Sequence, residues 1–157
     1  MQTHRPSVRE SISLRVLLRR DDNRGYQPWR SHMPKSLASI LHHLIFSTKG
    51  RRPCLTSDIA PQLEAYMAGV LRGLGCKVLA VGTANDHAHC GYQSPPTLTT
   101  AMIAHDLKIA SNRWLRERGG ALRNFKWQCG YSVWSWSYGD RAKLKKYILG
   151  QRKKHGS

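Results

Sequence analysis

Residues 77–93 read KVLAVGTANDHAHCGYQ, and the way this stretch divides decides the fold. The run LysValLeuAlaValGly over 77–82 is apolar and suited to a strand, ThrAlaAsnAsp at 83–86 carries turn chemistry, and 87–93 again alternates between faces. The two runs predict a β-hairpin. Upstream, 37–47 reads LASILHHLIFS and is bounded by the turn-prone ThrLysGlyArgArgPro, which predicts a first buried strand. Between them Ile59, Leu63, Tyr66, Met67, Val70, Leu71 and Leu74 recur at three- and four-residue spacing. That periodicity predicts a helix capped by Thr56 or Ser57 and ended by Gly75. Downstream, Pro95 and Pro96 stop the sheet, and Thr97 or Thr99 caps a second helix. Its stripe is Met102, Ile103, Leu107, Ala110, Trp114 and Leu115, and it reaches about Glu117. Short strands are expected over 125–128 and 131–137, around Gly130, and Asp140 caps a third helix carrying Leu144, Tyr147 and Ile148. The order is that of an α+β, ferredoxin-like antiparallel sheet with helices packed on one face and a C-terminal helix carrying Tyr147. Many functions share that fold, so the chemistry must decide.

The chain has 157 residues, room for one domain and a tail, and 40% hydrophobic residues, enough for a core. Lys and Arg number 26 against 9 Asp and Glu, a net charge of +17. Such an excess points to a polyanionic partner, nucleic acid ahead of an anionic membrane, because each cation on a phosphate releases condensed counterions. No apolar run approaches the ~18 residues of a membrane span. Cys54, Cys76, Cys90 and Cys129 form no CxxC pair, which fits buried apolar roles in a reducing cytoplasm. Residues 1–32 carry seven Arg and no Lys and show no packing pattern, so they are expected to be a disordered extension or an over-extended start. Within them 12–20 has the look of an amphipathic helix or a targeting sequence, but Glu10, Asp21 and Asp22 argue against a transit peptide. The domain proper is expected over 33–157, and no internal repeat is visible.

His87 and His89 stand two apart, which on a strand puts both imidazoles on one face with Cα atoms about 7 Å apart. Among eight histidines about 0.4 such pairs arise by chance, so a third ligand is needed. Tyr147 and Gln151 stand four apart on one helical face, either as nucleophile and ligand or as a packed aromatic with a solvated amide. Asp86 either orients an imidazole or caps the turn. His42 and His43 point to opposite faces of the first strand, so at most one approaches a site. Neither is assigned to metal, and nor is His105. Lys108, Arg113, Arg116 and Arg118 on the second helix, and Arg141, Lys143, Lys145, Lys146, Arg152, Lys153 and Lys154 around the third, either track a DNA backbone or form a solvated face. Only the third helix lacks any acid after Asp140 to balance its charge. Trp127, Trp134 and Trp136 either stack on unpaired bases or, for the alternating pair, mark one packed strand face.

In order, MPKSLASILHHLIFSTKGRRP, LEAYMAGVLRGLGCKVLAVG, AspHisAlaHis at 86–89, SNRWLRERG, FKWQCGY and KKYILGQ resemble the single-tyrosine HUH transposases of small bacterial insertion sequences. REP-associated tyrosine transposases are close relatives of that family. The similarity runs from about Met33 to His155. It implies an enzyme that cleaves and rejoins single-stranded DNA through a covalent 5′-phosphotyrosine, with Tyr147 as nucleophile and His87, His89 and Gln151 holding Mg²⁺ or Mn²⁺. It also implies a cytoplasmic homodimer with a continuous sheet, in which one subunit's tyrosine helix can complete the other's site. Its partner would be single-stranded DNA with hairpin ends, and no membrane would be involved. The chemistry is coherent by itself: an ion polarises the phosphodiester and stabilises the leaving 3′ oxygen, while a phenol attacks phosphorus and conserves the bond for rejoining. One rival is a catalytically decayed relative that only grips DNA or RNA hairpins. A small HxH metallohydrolase is weaker, for want of further Asp, Glu or His ligands at useful spacing. Two departures stand out. CysGlyTyrGln follows His89 where the family has a bulky apolar strand, so that strand is expected to be looser at Gly91 and Gln93. ArgLysLysHisGlySer replaces the family's acidic and histidine-containing continuation, which is the expectation behind the decayed alternative.

Overall fold

The structure, a computed structural model, describes residues 40–151. The expectations for 1–32, the opening of the first strand and Arg152 lie outside those residues. Seven regular elements follow in order: β1 (Leu41–Ser47), α1 (Ala60–Gly73), β2 (Lys77–Thr83), β3 (His87–Gln93), α2 (Thr100–Arg116), β4 (Ser132–Trp136) and α3 (Arg141–Leu149). The strands form one sheet in the order β2-β3-β1-β4, with every neighbouring pair antiparallel. This is the ferredoxin-like α+β arrangement. No helix among the described residues is long and apolar enough to cross a membrane.

Several local signals resolve differently from the reading of the sequence. Thr99, not Thr97, caps α2, its Oγ1 accepting from Met102 N at 3.2 Å. Neither Thr56 nor Ser57 caps α1, which starts without a side-chain cap but with Pro61 in its first turn, where the missing N–H costs nothing. Asp140 does not cap α3 either, because its carboxylate is engaged by Lys143 Nζ at 2.8 Å. The strand expected over 125–128 reduces to a single bridge between Thr48 and Trp127. There the indole turns into the core and donates to Ser111 Oγ at 2.9 Å, so the segment serves as a plug rather than a ladder.

Alternation along β3 divides the sheet's two faces. Ala88, Cys90 and Tyr92 point one way, and with Leu44 and Phe46 of β1 they meet α1 and α2, as the bonds from Thr83 to Glu64 and from Trp127 to Ser111 mark. His87, His89 and Gly91 point the other way, toward α3, whose Leu144 and Ile148 form a second small core with Leu41 and Ala80, flanked by Leu79 and Trp136. The helices therefore do not share one face.

What sets α3 on that face is the absence of two side chains. A Cβ at Gly82 would meet the carbonyl oxygen of Ile148, and one at Gly91 would lie 2.8 Å from Ile148 Cδ1. The expected looseness is confined to one irregularity: β3 pairs without a break with β1, the register with β2 shifts between Val78 and Ala80, opposite Tyr92 and Gly91, and the space above Gly91 is filled by Ile148. Gly82→Ala is expected to lift α3 and destabilise the domain by about 1–3 kcal/mol. Gly69→Ala, in the exposed middle of α1 with nothing within 4 Å of the new methyl, should stabilise it by about 0.4–1 kcal/mol. Denaturant titrations of the two variants check the sign of each change.

Candidate active site

β3 brings His87 and His89 to the α3 side of the sheet with ring centroids 4.8 Å apart. Both are buried. Because the two glycines let α3 sit directly on β2 and β3, the ring of Tyr147 meets His89 edge-on at 5.8 Å and His43 at 5.7 Å, while remaining 41% exposed. One turn further on, Gln151 is only 2% exposed, and its Nε2 donates to Tyr147 O at 3.0 Å. The amide is therefore buried rather than solvated.

Each histidine is held from behind. Asp86 Oδ1 lies 2.5 Å from His87 Nδ1, and Asp86 Oδ2 accepts from Arg51 Nε at 2.9 Å. Arg51 reaches it because the turn after β1 runs through two left-handed residues, Gly50 at φ 65° and Arg51 at φ 51°. Partial burial pushes the Asp86 carboxyl up, but the hydrogen bond and charge of His87, joined by those of Arg51, outweigh that and hold it below its usual range. His89 Nδ1 lies 2.9 Å from His43 Nε2. Burial lowers the pKa of His43, which favours the neutral ring.

His43 is the residue that the sequence did not assign. The dipeptide HisHis says only that one ring faces each way. The register is what decides: β1 pairs with β3 so that Ile45 opposes His89 and His43 opposes Gly91, which makes His43 the diagonal neighbour of His89 on the same face. His42 is on the other face, stacked on Tyr92 at 5.5 Å and near Ser94 Oγ. His105 lies on the exposed side of α2 beside Asp106.

The donor set suits a divalent ion. Among the described residues no three of His, Cys, Asp and Glu group to hold an ion by themselves, so a third protein donor would come from another kind of side chain. Gln151 has such a donor in its amide oxygen, the amide nitrogen already being directed at Tyr147 O. The Nδ1 atoms of His87 and His89 are directed at Asp86 and His43, so Nε2 is the atom each would offer to metal.

The predicted basic residues separate into two sets. On α2, against the sheet face away from the histidines, and at Arg118 just past the end of that helix, each one touches a protein group. Lys108 Nζ donates to Gln128 O and to Gly130 O at 2.8 Å, and desolvation lowers its pKa. Arg113 pairs with Glu117 at 3.0 Å, Arg116 Nε donates to Phe125 O at 2.8 Å, and the Arg118 guanidinium sits 3.8 Å over the Trp114 ring. On α3, Lys143 pairs with Asp140, while Lys145 and Lys146 are exposed next to Tyr147. Of the tryptophans, Trp127 is core, Trp136 packs beside the α3 cluster, and Trp134 is 63% exposed. The structure thus links Asp86, His87, His89 and Tyr147 in a chain of contacts, with Gln151 buried one turn beyond Tyr147 and bonded to its main chain and with Lys145 and Lys146 exposed beside it, and leaves the α2 set on the far face.

Known proteins resemble this chain in architecture and, more distantly, in sequence. A crystal structure of a protein from Deinococcus radiodurans R1, assigned as a transposase, superposes with a TM-score of 0.62 at 23% identity, covering 78% of this chain and 98% of the other. The structure of a REP-associated tyrosine transposase bound to a REP hairpin gives a TM-score of 0.55 at 18% identity, over 80% of this chain and 74% of that one. These likenesses establish the fold. In sequence, the ISDra2 transposase TnpA of Deinococcus radiodurans is 28% identical over 122 residues, 72% of this chain and 84% of its own length. The family model described as "Transposase IS200 like" matches residues 36–151, which takes in every element of the sheet and all three helices, and so this chain belongs to the family of IS200-like transposases.

Proposed function

We propose that this transposase cleaves and rejoins single-stranded DNA through a covalent 5′-phosphotyrosine on Tyr147, at a site where His87, His89 and Gln151 hold Mg²⁺ or Mn²⁺. The observation that carries the reading is the contact of the Tyr147 ring with His89, which forms a buried pair with His87, one helical turn before the buried amide of Gln151. When bound, a divalent ion there supplies Lewis acidity to the phosphodiester oxygens. Tyr147 forms the new bond: its phenolic oxygen joins phosphorus as the bond from phosphorus to the 3′ oxygen breaks. The phenolic proton passes to solvent, which reaches this half-open side chain, and the departing oxygen takes up a proton to become a 3′-hydroxyl. Attack by a 3′-hydroxyl on the phosphotyrosine runs the same steps backward and frees the phenol. Asp86, tied to Arg51, orients His87 from behind.

Lys143, Lys145 and Lys146 on α3, continued in sequence by Arg152, are the groups we assign to the DNA backbone, since they flank Tyr147. Lys108, Arg113, Arg116 and Arg118 are tied to protein groups on the far face and serve the fold first. That the REP-associated neighbour holds a REP hairpin supports hairpin-ended single strands as this chain's substrate. The homodimer is supported by β4, an edge strand of the sheet with Val133 and Trp134 exposed along it.

Two experiments test this. Incubation with labelled single-stranded element ends and Mn²⁺ should give a denaturant-resistant adduct with the parent chain and with Tyr131→Phe and Tyr138→Phe. No adduct should form with Tyr147→Phe, His87→Ala or His89→Ala, although hairpin binding stays within about threefold because phosphate contacts supply it. Hairpin binding without adduct in the parent chain would leave the decayed, binding-only relative as the answer. In the second, Val133→Lys with Trp134→Lys is expected to shift the sedimentation profile from dimer to monomer without changing the melting temperature by more than a few degrees.

A further inference from the structure

His43 touches the proposed metal ligand and the proposed nucleophile at once, and no role in the reaction has yet been given to it. Its Nε2 lies 2.9 Å from His89 Nδ1 across 46 residues of sequence, the two rings are nearly parallel at 23°, and both side chains are buried. On its other sides the ring meets Tyr147 edge-on at 5.7 Å and Trp136 at 6.3 Å. It stands on β1, which is paired on both edges. A side chain confined by a central strand, two aromatic rings and a hydrogen bond has little freedom to leave its partner.

We infer that His43 is a positioning residue for His89: it accepts the Nδ1 proton of His89 and thereby fixes the tautomer and ring plane that offer Nε2 to the ion. This rests on the reading that His87, His89 and Gln151 form a metal site. An imidazole that coordinates through one nitrogen must carry its proton on the other, and a fixed acceptor at that other nitrogen decides which is which. For His87 the acceptor is a carboxylate, Asp86, itself bonded to the arginine of the loop after β1. For His89 it is a second imidazole, which orients without adding charge. A carboxylate in that buried place would bring a charge that must be desolvated. His43 is not itself a ligand through Nε2, since that atom is directed at His89 Nδ1.

The test compares His43→Leu, which removes the acceptor, with His43→Gln, whose amide oxygen can accept the same proton, and with His89→Ala. The probe is Mn²⁺ alone, titrated into the folded full-length protein and followed by electron paramagnetic resonance. His89→Ala should lose binding. His43→Leu should weaken it about 10–100-fold, and His43→Gln should return it to within about threefold of the parent chain. Independently of any variant, the ¹⁵N shifts of His89 in the metal-free parent protein should show Nδ1 protonated and Nε2 bare. Unchanged Mn²⁺ affinity in His43→Leu, equal loss in His43→Leu and His43→Gln, or a His89 protonated on Nε2 each overturns the inference. Retained Mn²⁺ binding in His89→Ala is a separate outcome, because it removes the metal site itself and the role of His43 with it.

Discussion

Contact between the backbone of α3 and the face of β2 and β3 governs the rest of the molecule. A helix normally rides about 10 Å above a sheet on the side chains between them. Here Gly82 and Gly91 remove those side chains at the point of contact, so that Ile148 lies against the strands directly. Tyr147 adjoins Ile148 in the chain, and its reach toward His89 depends on that closeness. A slightly higher α3 would leave both histidines on the same face of β3 but draw the phenol away from His89, so the site depends on helix-to-sheet distance as much as on residue identity.

The two faces of the sheet divide the work. The face under α1 and α2 is conventional core, with Leu44, Phe46, Ala88, Cys90 and Tyr92 against the helical stripes, and the cations of α2 are bound to carbonyls, a carboxylate and an indole around it. The face under α3 has a smaller apolar cluster, and much of its remaining area is given to buried polar groups, His43, His87, His89 and Gln151. Buried polar groups are tolerated only when each has a partner, and here the partners also hold the rings in place.

Most of the fold was legible in the sequence because its signals are periodic: the helical stripe from Leu63 to Leu71, the alternation from His87 to Gln93 and the hairpin between β2 and β3 all lie where the pattern puts them. Caps were read less well, since Thr56, Ser57 and Asp140 have the right chemistry while Pro61 and Lys143 supply local alternatives that prevail. The histidine pair and the tyrosine–glutamine pair were each visible as spacings. That they meet was not, because it depends on α3 crossing to the face opposite α1 and α2, and no residue-level pattern states which face a terminal helix takes. Gly91 shows why: in isolation it weakens a strand, and only with Ile148 above it does it become a contact surface. His43 was hidden for a related reason, since strand register is a property of a pair of segments.

The two glycines also differ in what could compensate for their loss. At Gly91 the obstruction is the Cδ1 tip of Ile148, an atom that Ile148→Val would delete, so a methyl at 91 has a second-site suppressor within reach. At Gly82 the obstruction is the main-chain carbonyl of residue 148, which every amino acid carries. No exchange at 148 removes it. Evolutionary drift can therefore pass through position 91 in two coordinated steps, whereas position 82 is closed to drift for as long as α3 keeps its seat.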